Sequence, residues 1–179
     1  MSLNFIRVDH EFSDDKSLSE MMIRQFPPGE YLSLEKQLEL QDKGDAEIWA
    51  LYADNELVGF ATLRISHGMV YLFFLAFDDA FQEKGYGREA VQTIGGMYPD
   101  RAFAVDFELV DKKADNNVQR IRRRNFYLKN GFAETGWGLQ YLGVQYEIFC
   151  MNKPFDMNSF QTMLDGLPIK GFCPQYFKI

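Results

Sequence analysis

The sequence predicts a mixed α/β fold, in which helices cover both faces of a central sheet. Segments with strand and helix periodicity alternate along the chain in the order β α α β β β α β α β β α. The segment Met69–Phe77 is apolar on both faces, which is typical of a central strand covered on two sides. The length of 179 residues favours one domain, and no Pro/Gly/Ser-rich linker divides the chain.

The first half of the chain contains two predicted helices and four predicted strands. Ser17 and Glu20 have the spacing of a capping box, which predicts that the first helix begins there, and Pro27 ends it. Asp54-Asn55 fits a two-residue hairpin turn. In chain order, the predicted elements are a strand at 5–8, helices at 17–26 and from 31 to near 44, and strands at 47–53, 56–65 and 69–77.

The second half contains three predicted helices and three predicted strands. The strand at 102–109 has two different faces, because Phe103 and Phe107 point to one side while Asp106 and Glu108 point to the other. The remaining predicted elements are helices around 90–97, 118–129 and 158–164 and strands at 132–141 and 144–151.

Composition excludes several classes of protein. Nineteen Lys and Arg against twenty-six Asp and Glu give a net charge of −7, which argues against coating a nucleic acid or an anionic membrane. The longest apolar run, 69–77, is far shorter than the ~20 residues of a membrane helix. Cys150 and Cys173 have no ligand partner at short spacing, so we expect no metal site and a reducing, cytoplasmic location.

A glycine-rich segment, QEKGYG at 82–87, lies between the buried strand and a helix. Glycines let the backbone approach a ligand, and the amides that open a helix attract phosphate. Residues 85–90 also match the dinucleotide fingerprint, with Asp106 near the expected offset. Seven residues separate these glycines from the strand, and one β-α-β unit surrounds them, so the nicotinamide interpretation is the weaker one.

A second motif favours a different cofactor. Residues 126–132 read FYLKNGF, which resembles the end of the last core helix in the GNAT superfamily of acyl-CoA-dependent N-acyltransferases. Residues 82–87 match the pyrophosphate loop of that family, and the spacing of about 40 residues between the two motifs is usual for it. The resemblance covers about residues 5–151 and implies a mostly antiparallel sheet of about seven strands within a single domain, 1–179. Residues 152–179 then form a C-terminal helix and tail.

The resemblance implies an enzyme that uses acetyl-CoA and assigns roles to particular residues. Tyr127 is expected to protonate the leaving thiolate. Glu108 and Asp106 are the candidates for the general base, and Glu108 is preferred because it lies nearer the C-terminal end of its strand; a water relay is an equal alternative. Glu30, Asp106 and Tyr141 are candidates for binding the acceptor amine. The residues expected to bind coenzyme A are Leu75, Ala76, Phe77, Gln82, Glu83, Lys84, Gly85, Tyr86, Gly87, Arg88, Asn117 and Arg120.

The helix at 118–129 departs from the family pattern. Arg120 stands where the family often has Asn, seven residues before the tyrosine. Together with Arg123, Arg124 and Tyr127 it forms a stripe on one face, which could bind coenzyme phosphates or pair with Asp106 and Glu108. The other side of the helix is apolar and consists of Val118, Ile121 and Leu128.

Two functions are compatible with the same fold. The first is N-acetylation of a primary amine on a small molecule or peptide, and the alternative is a non-catalytic domain that senses or holds acyl-CoA. Tyr127 favours the enzyme, although packing alone could also retain a tyrosine. No nucleic-acid or membrane partner is expected, and the tail at 166–179 makes a second copy of the chain a candidate partner.

Overall fold

A computed structural model describes residues 2–26, 31–66, 68–167 and 171–179. The predicted order of elements is confirmed, with one additional strand at the end. The elements are β1 (Asn4–Arg7), α1 (Asp15–Gln25), α2 (Leu34–Asp42), β2 (Ala46–Ala53), β3 (Glu56–Ser66), β4 (Met69–Phe77), a 3-10 turn (Asp79–Phe81), α3 (Tyr86–Met97), β5 (Ala102–Glu108), α4 (Asn117–Lys129), β6 (Ala133–Tyr141), β7 (Val144–Met151), α5 (Met157–Asp165) and β8 (Gln175–Lys178).

The strands form one sheet in the order β1-β2-β3-β4-β5-β7-β6-β8. Pairing is antiparallel for β1–β2, β2–β3, β5–β7, β6–β7 and β6–β8. The pair β4–β5 is parallel, and its register joins Met69–Tyr71 to Ala102–Ala104. The mixed, mostly antiparallel sheet is therefore confirmed. It has eight strands rather than about seven, because the C-terminal tail pairs along β6 as β8.

The chain divides into two compact units, the first formed by Met1–Ile65 and Leu72–Thr93. Within this unit helices cover both faces of the sheet, as alternate residues of β2 show. Ile48 and Ala50 join the cluster that holds α1 and α2, whereas Leu51 and Ala53 join the cluster that holds the start of α3. The turn between β2 and β3 is confirmed at Asp54-Asn55, since both residues have positive φ, 50° and 67°.

The second unit consists of Ser66–Tyr71 and Ile94–Ile179. Its core includes one face of β5, where Phe103, Val105 and Phe107 are almost completely buried. The opposite face carries Asp106 and Glu108, which are partly exposed. The predicted two-faced strand is therefore confirmed. The prediction of a single domain remains a prediction.

One local prediction is wrong, and one apolar helix side is exposed. The first helix begins at Asp15, two residues before Ser17, so the capping box does not start it; no side-chain cap bond is made at its N-terminus. In α4 the apolar side is exposed, with Val118 at 77% and Ile121 at 42% relative exposure. The buried residue of α4 is Tyr127, because aromatic packing on Phe107 and Phe132 orients the helix.

Two further observations concern the described residues as a whole. No helix among them is both long enough and apolar enough to cross a membrane. Nor does any group of three His, Cys, Asp or Glu side chains in the described ranges lie close enough to hold a metal ion. The predicted glutamate of the acceptor site, Glu30, lies outside the described residues.

Candidate active site

The predicted site residues fall in both compact units, and the glycine loop belongs to the first. Glu83 and Gly85 both adopt left-handed backbone conformations, with φ of 62° and 86°. Such a conformation favours glycine, and a substitution at Gly85 is strained whatever the space around it. Helix α3 begins directly afterwards at Tyr86, and Gly87 and Arg88 lie in its first turn. The loop therefore leads into a helix N-terminus, where backbone amides attract an anion.

The side chains of the loop have distinct surroundings. Tyr86 is buried and stacks on Phe77, with ring centroids 6.1 Å apart. Gln82 is exposed and donates a hydrogen bond to Asp79 at 2.8 Å. The Lys84 ammonium lies 4.6 Å from the centre of the Phe81 ring. Tyr86 thus anchors the loop in the core, and the charged side chains of Lys84 and Arg88 are on the surface.

The end of β4, where Leu75, Ala76 and Phe77 are predicted to contact coenzyme A, lies close to a glycine of β3. A Cβ atom on Gly59 would come within 2.5 Å of the Ala76 carbonyl oxygen and 2.6 Å of the Phe77 ring. Asp78, directly after the strand, donates its backbone N–H to the Val58 carbonyl at 2.9 Å. The conformation of this strand end therefore depends on the absence of a side chain at Gly59.

Glu108, in the second unit, is engaged by three neighbours. Asn116 donates to both of its oxygens, at 3.1 and 3.2 Å. Arg120 approaches Oε1 at 3.1 Å and Arg123 approaches Oε2 at 3.4 Å. Both carboxylate oxygens thus have hydrogen-bond donors already. Two arginines of the α4 stripe pair with this carboxylate, whereas Arg124 pairs with Glu134 and Glu147.

Arg120 and Asn117, which are predicted to contact coenzyme phosphates, also have partners within the protein. Arg120 additionally donates to Asn116 and to the Leu109 carbonyl, at 2.8 and 2.9 Å. Asn117 accepts the backbone N–H of Asp111 at 3.0 Å. These contacts fix the loop between β5 and α4. The predicted contacts of Arg120 and Asn117 with coenzyme phosphates stay predictions.

Asp106 is the second carboxylate on the polar face of β5. Tyr71 on β4 donates a hydrogen bond to its Oδ1 at 2.8 Å. Its Oδ2 is buried and has no hydrogen-bond partner among the described residues. Burial raises the pKa of Asp106 to about 6, whereas the hydrogen bond from Tyr71, its own backbone N–H and the charge of Arg123 oppose the rise.

Tyr127 lies within electrostatic range of this carboxylate. Its ring stacks on Phe107 at a centroid distance of 5.1 Å. Burial raises the pKa of Tyr127 to about 12; the charge of Arg123 opposes the rise, and the charge of Asp106 adds to it. At neutral pH the phenol therefore carries its proton and can donate it.

The remaining predicted residue, Tyr141, belongs to an aromatic group beside Tyr71. Its ring stacks on Tyr146, with centroids 4.6 Å apart and planes 7° apart, and Phe172 of the tail packs edge-on against it. Tyr141 and Tyr146 both act electrostatically on the Tyr71 hydroxyl. Burial and the charge of Asp106 hold the pKa of Tyr71 well above its usual range. The structure thus brings Tyr71, Asp106 and Tyr141 into one neighbourhood.

Tyr71 is a residue of this neighbourhood that the sequence did not identify. It stands in the apolar run of β4, where a tyrosine is expected to be a core residue. One signal was available, because a phenol hydroxyl in a buried strand needs a hydrogen-bond partner. The partner could not be chosen without the parallel register, which pairs Tyr71 with Ala104 and so places it diagonally from Asp106.

Comparison with known proteins supports the class that the glycine loop and the α4 motif predict. The model of the acetyltransferase (GNAT) family matches residues 15–132. The chain therefore belongs to the GNAT family of acetyltransferases. No curated protein matches it.

Solved structures of this family share the fold at low sequence identity. A GNAT-family protein from Bacteroides thetaiotaomicron is 20% identical, with a TM-score of 0.67 over 89% of this chain and 92% of the other. The ribosomal L7/L12 alpha-N-protein acetyltransferase RimL is 17% identical, with a TM-score of 0.64 over 84% and 93%. A Bacillus subtilis acetyltransferase in complex with CoA is 13% identical, with a TM-score of 0.57 over 85% and 99%.

Proposed function

We propose that the protein transfers an acetyl group from acetyl-CoA to a primary amine of a small molecule or peptide. Membership of the GNAT family supports acetyl transfer. The observation that carries the use of coenzyme A is the loop before α3, where Glu83 and Gly85 turn the backbone into a helix N-terminus. Solved relatives in complex with CoA are consistent with this cofactor.

In this proposal the loop and the end of β4 hold the coenzyme. Acetyl-CoA, when bound, supplies an acetyl group on a thioester. The amides of residues 82–88 bind the pyrophosphate, because the left-handed turn and the helix opening fit an anion. Lys84 and Arg88 add positive charge, and the backbone of Leu75, Ala76 and Phe77 binds the pantetheine arm.

Tyr127 is proposed to donate its proton to the departing sulfur. Its pKa of about 12 keeps the phenol protonated at neutral pH, which is the state from which a general acid acts. The two oxygens of Glu108, the base that the sequence favours, already accept from Asn116, Arg120 and Arg123. Positioning of the reactants, rather than a strong nucleophile, supplies most of the acceleration.

Calorimetric titration separates the proposed cofactor from the nicotinamide alternative. Acetyl-CoA and CoA should both bind, and each at 100 times its dissociation constant should stabilise the fold by about 3 kcal/mol. NAD serves as the control ligand, because it is of similar size and shares the adenosine and pyrophosphate groups. Binding of NAD without binding of CoA would make the cofactor assignment wrong.

Turnover separates the enzyme from the acyl-CoA sensor with the same fold. We expect Tyr127→Phe to lower kcat about 100-fold while CoA affinity changes little, since general acids contribute roughly 10²–10⁴-fold. Tyr52→Phe is the matched control, because burial raises the pKa of Tyr52 to about 12 as well and its hydroxyl donates to Asp14. Equal kcat in the two variants would remove Tyr127 from the reaction. Coenzyme binding without turnover of any amine would favour the sensor.

Three further expectations accompany the proposal and stay predictions. A reducing, cytoplasmic location rests on the free cysteines Cys150 and Cys173. A second copy of the chain remains a candidate partner. The net charge of −7 favours a cationic acceptor and disfavours a nucleic-acid partner.

A further inference from the structure

The two oxygens of the Asp106 carboxylate differ in their hydrogen bonding. The Tyr71 hydroxyl donates to Oδ1 at 2.8 Å, and Oδ2 is buried without a hydrogen-bond partner among the described residues. A buried acceptor that lacks a donor destabilises a fold by about 1–3 kcal/mol, and more when it is charged. A ligand that supplies the missing donor would remove this cost.

Few charged groups act on the Asp106 carboxylate. Among the described residues, Asp106 interacts with Arg123 and Tyr127 of α4 and with Tyr71 of β4. Arg123 is the cation among them, and it already pairs with Glu108 at 3.4 Å. The carboxylate therefore has an incomplete counter-charge, and an incoming ammonium group would complete it.

We propose that Oδ2 of Asp106 receives the ammonium group of the acceptor and accepts its proton, with Tyr71 as the positioning residue. This inference rests on the proposed acetyl transfer. One N–H bond of the ammonium breaks and an O–H bond forms on Oδ2, which leaves a neutral amine with a free electron pair. That amine attacks the thioester carbonyl, and a C–N bond replaces the C–S bond. The departing sulfur takes the proton of Tyr127, and the second proton that the nitrogen loses to become an amide goes to the Tyr127 oxygen, which restores the phenol.

Glu108 provides an internal comparison for this assignment. It lies two residues away on the same face of β5, yet both of its oxygens have donors from Asn116, Arg120 and Arg123. A carboxylate with all its acceptors engaged has little capacity to accept a further ammonium group. The role we assign to Glu108 is to hold Arg120 and Arg123, which stabilises the α4 side of the site.

Direct binding tests the inference without requiring the natural acceptor. The probe is n-butylammonium chloride, with sodium chloride as the salt control, added to protein whose aspartate carboxyl carbons are labelled with ¹³C. We expect the probe to raise the acid dissociation constant of Asp106 about tenfold, since a nearby cation favours the carboxylate. An unchanged titration of Asp106 would overturn the inference, whereas the acetyl-CoA titration described above tests the proposed function separately.

The pH dependence of turnover tests the positioning role of Tyr71. The assay uses a panel of n-butylamine, phenethylamine, spermidine and an unblocked peptide. In the wild type, kcat/KM should fall at low pH as Asp106 becomes protonated, and this fall is the low-pH limb of the profile. Asp106→Asn should remove the limb and lower kcat/KM at least 100-fold. Tyr71→Phe should move the limb to higher pH and leave CoA affinity unchanged, because the lost hydrogen bond favoured the carboxylate.

A merely structural role for Tyr71 would lower kcat/KM at every pH without moving the limb, and that result would overturn its assignment. Tyr176→Phe is the matched control, since it removes a hydroxyl that donates to Asp165 at 3.0 Å. Retention of wild-type kcat/KM by Asp106→Asn would refute the inference and leave the proposed function standing. If the wild-type protein does not bind acetyl-CoA, both the inference about Asp106 and the proposed function are refuted.

Discussion

Replacement of Asp106 by Asn should change how the stability of the protein depends on pH. The pKa of this carboxyl rises from the ordinary 3.8 to about 6 in the folded protein, mainly because of burial. Between these two values the folded state binds more protons than the unfolded state, so the free energy of unfolding falls as the pH rises. The Asn side chain does not titrate, and the variant should lack this loss.

The size of the effect follows from the shift in pKa. A change of about two pKa units, at 1.36 kcal/mol for each, corresponds to about 3 kcal/mol over the whole titration. About 2 kcal/mol of this falls between pH 4.5 and pH 7.5, the range in which the fold is best compared. Relative to the wild type, Asp106→Asn should therefore gain about 2 kcal/mol of stability across that range.

Urea denaturation of the two proteins at pH 4.5, 5.5, 6.5 and 7.5 measures the difference. The difference should grow up to about pH 7 and then level off, because Asp106, with a pKa of about 6, is mostly ionised by then. Since only the difference between the proteins is used, other groups that titrate in both cancel. A difference independent of pH would refute the assignment of a buried, partly unpaired carboxylate at this position.

Three other substitutions probe the loop, the strand end and the charge beside the carboxylate. Gly87→Val should weaken acetyl-CoA binding at least tenfold by calorimetry, whereas Gly96→Val, at a helical position with open space, should not. Gly59→Ala should lower both the melting temperature and acetyl-CoA affinity, because its Cβ would lie 2.5 Å from a carbonyl oxygen of β4; unchanged values would contradict the role of that contact. Arg123→Gln should raise the pKa of Asp106 and move the low-pH limb of kcat/KM upward, and a downward shift would contradict the sign.

Much of the fold follows from local sequence patterns. The apolar run at 69–77 gave the bounds of β4 correctly, because a strand buried on both faces has a continuous signal. Asp54-Asn55 gave the hairpin turn, since Asn and Asp tolerate positive φ. Strand β8 was missed, because its four residues gain their order from pairing with β6 and carry little signal alone.

The candidate site was only partly predictable, because some of its contacts come from distant elements and leave no local signal in the sequence. The glycine loop and Tyr127 belong to short motifs, so the sequence could identify them. The difference between Asp106 and Glu108 depends instead on partners that come from other elements, Tyr71 for one and Asn116 with the arginines of α4 for the other. Alternation along β5 predicts a shared face for the two carboxylates but cannot predict which one is left open.

The central claim is that the protein moves an acetyl group from acetyl-CoA to an amine. Mass spectrometry after incubation with ¹³C-acetyl-CoA and the amine panel tests it most directly. We predict a labelled amide that accumulates in step with free CoA, and a much smaller amount of both with Tyr127→Phe than with Tyr52→Phe. Bound coenzyme without any labelled amide, or CoA release with acetate as the sole labelled product, would contradict the claim.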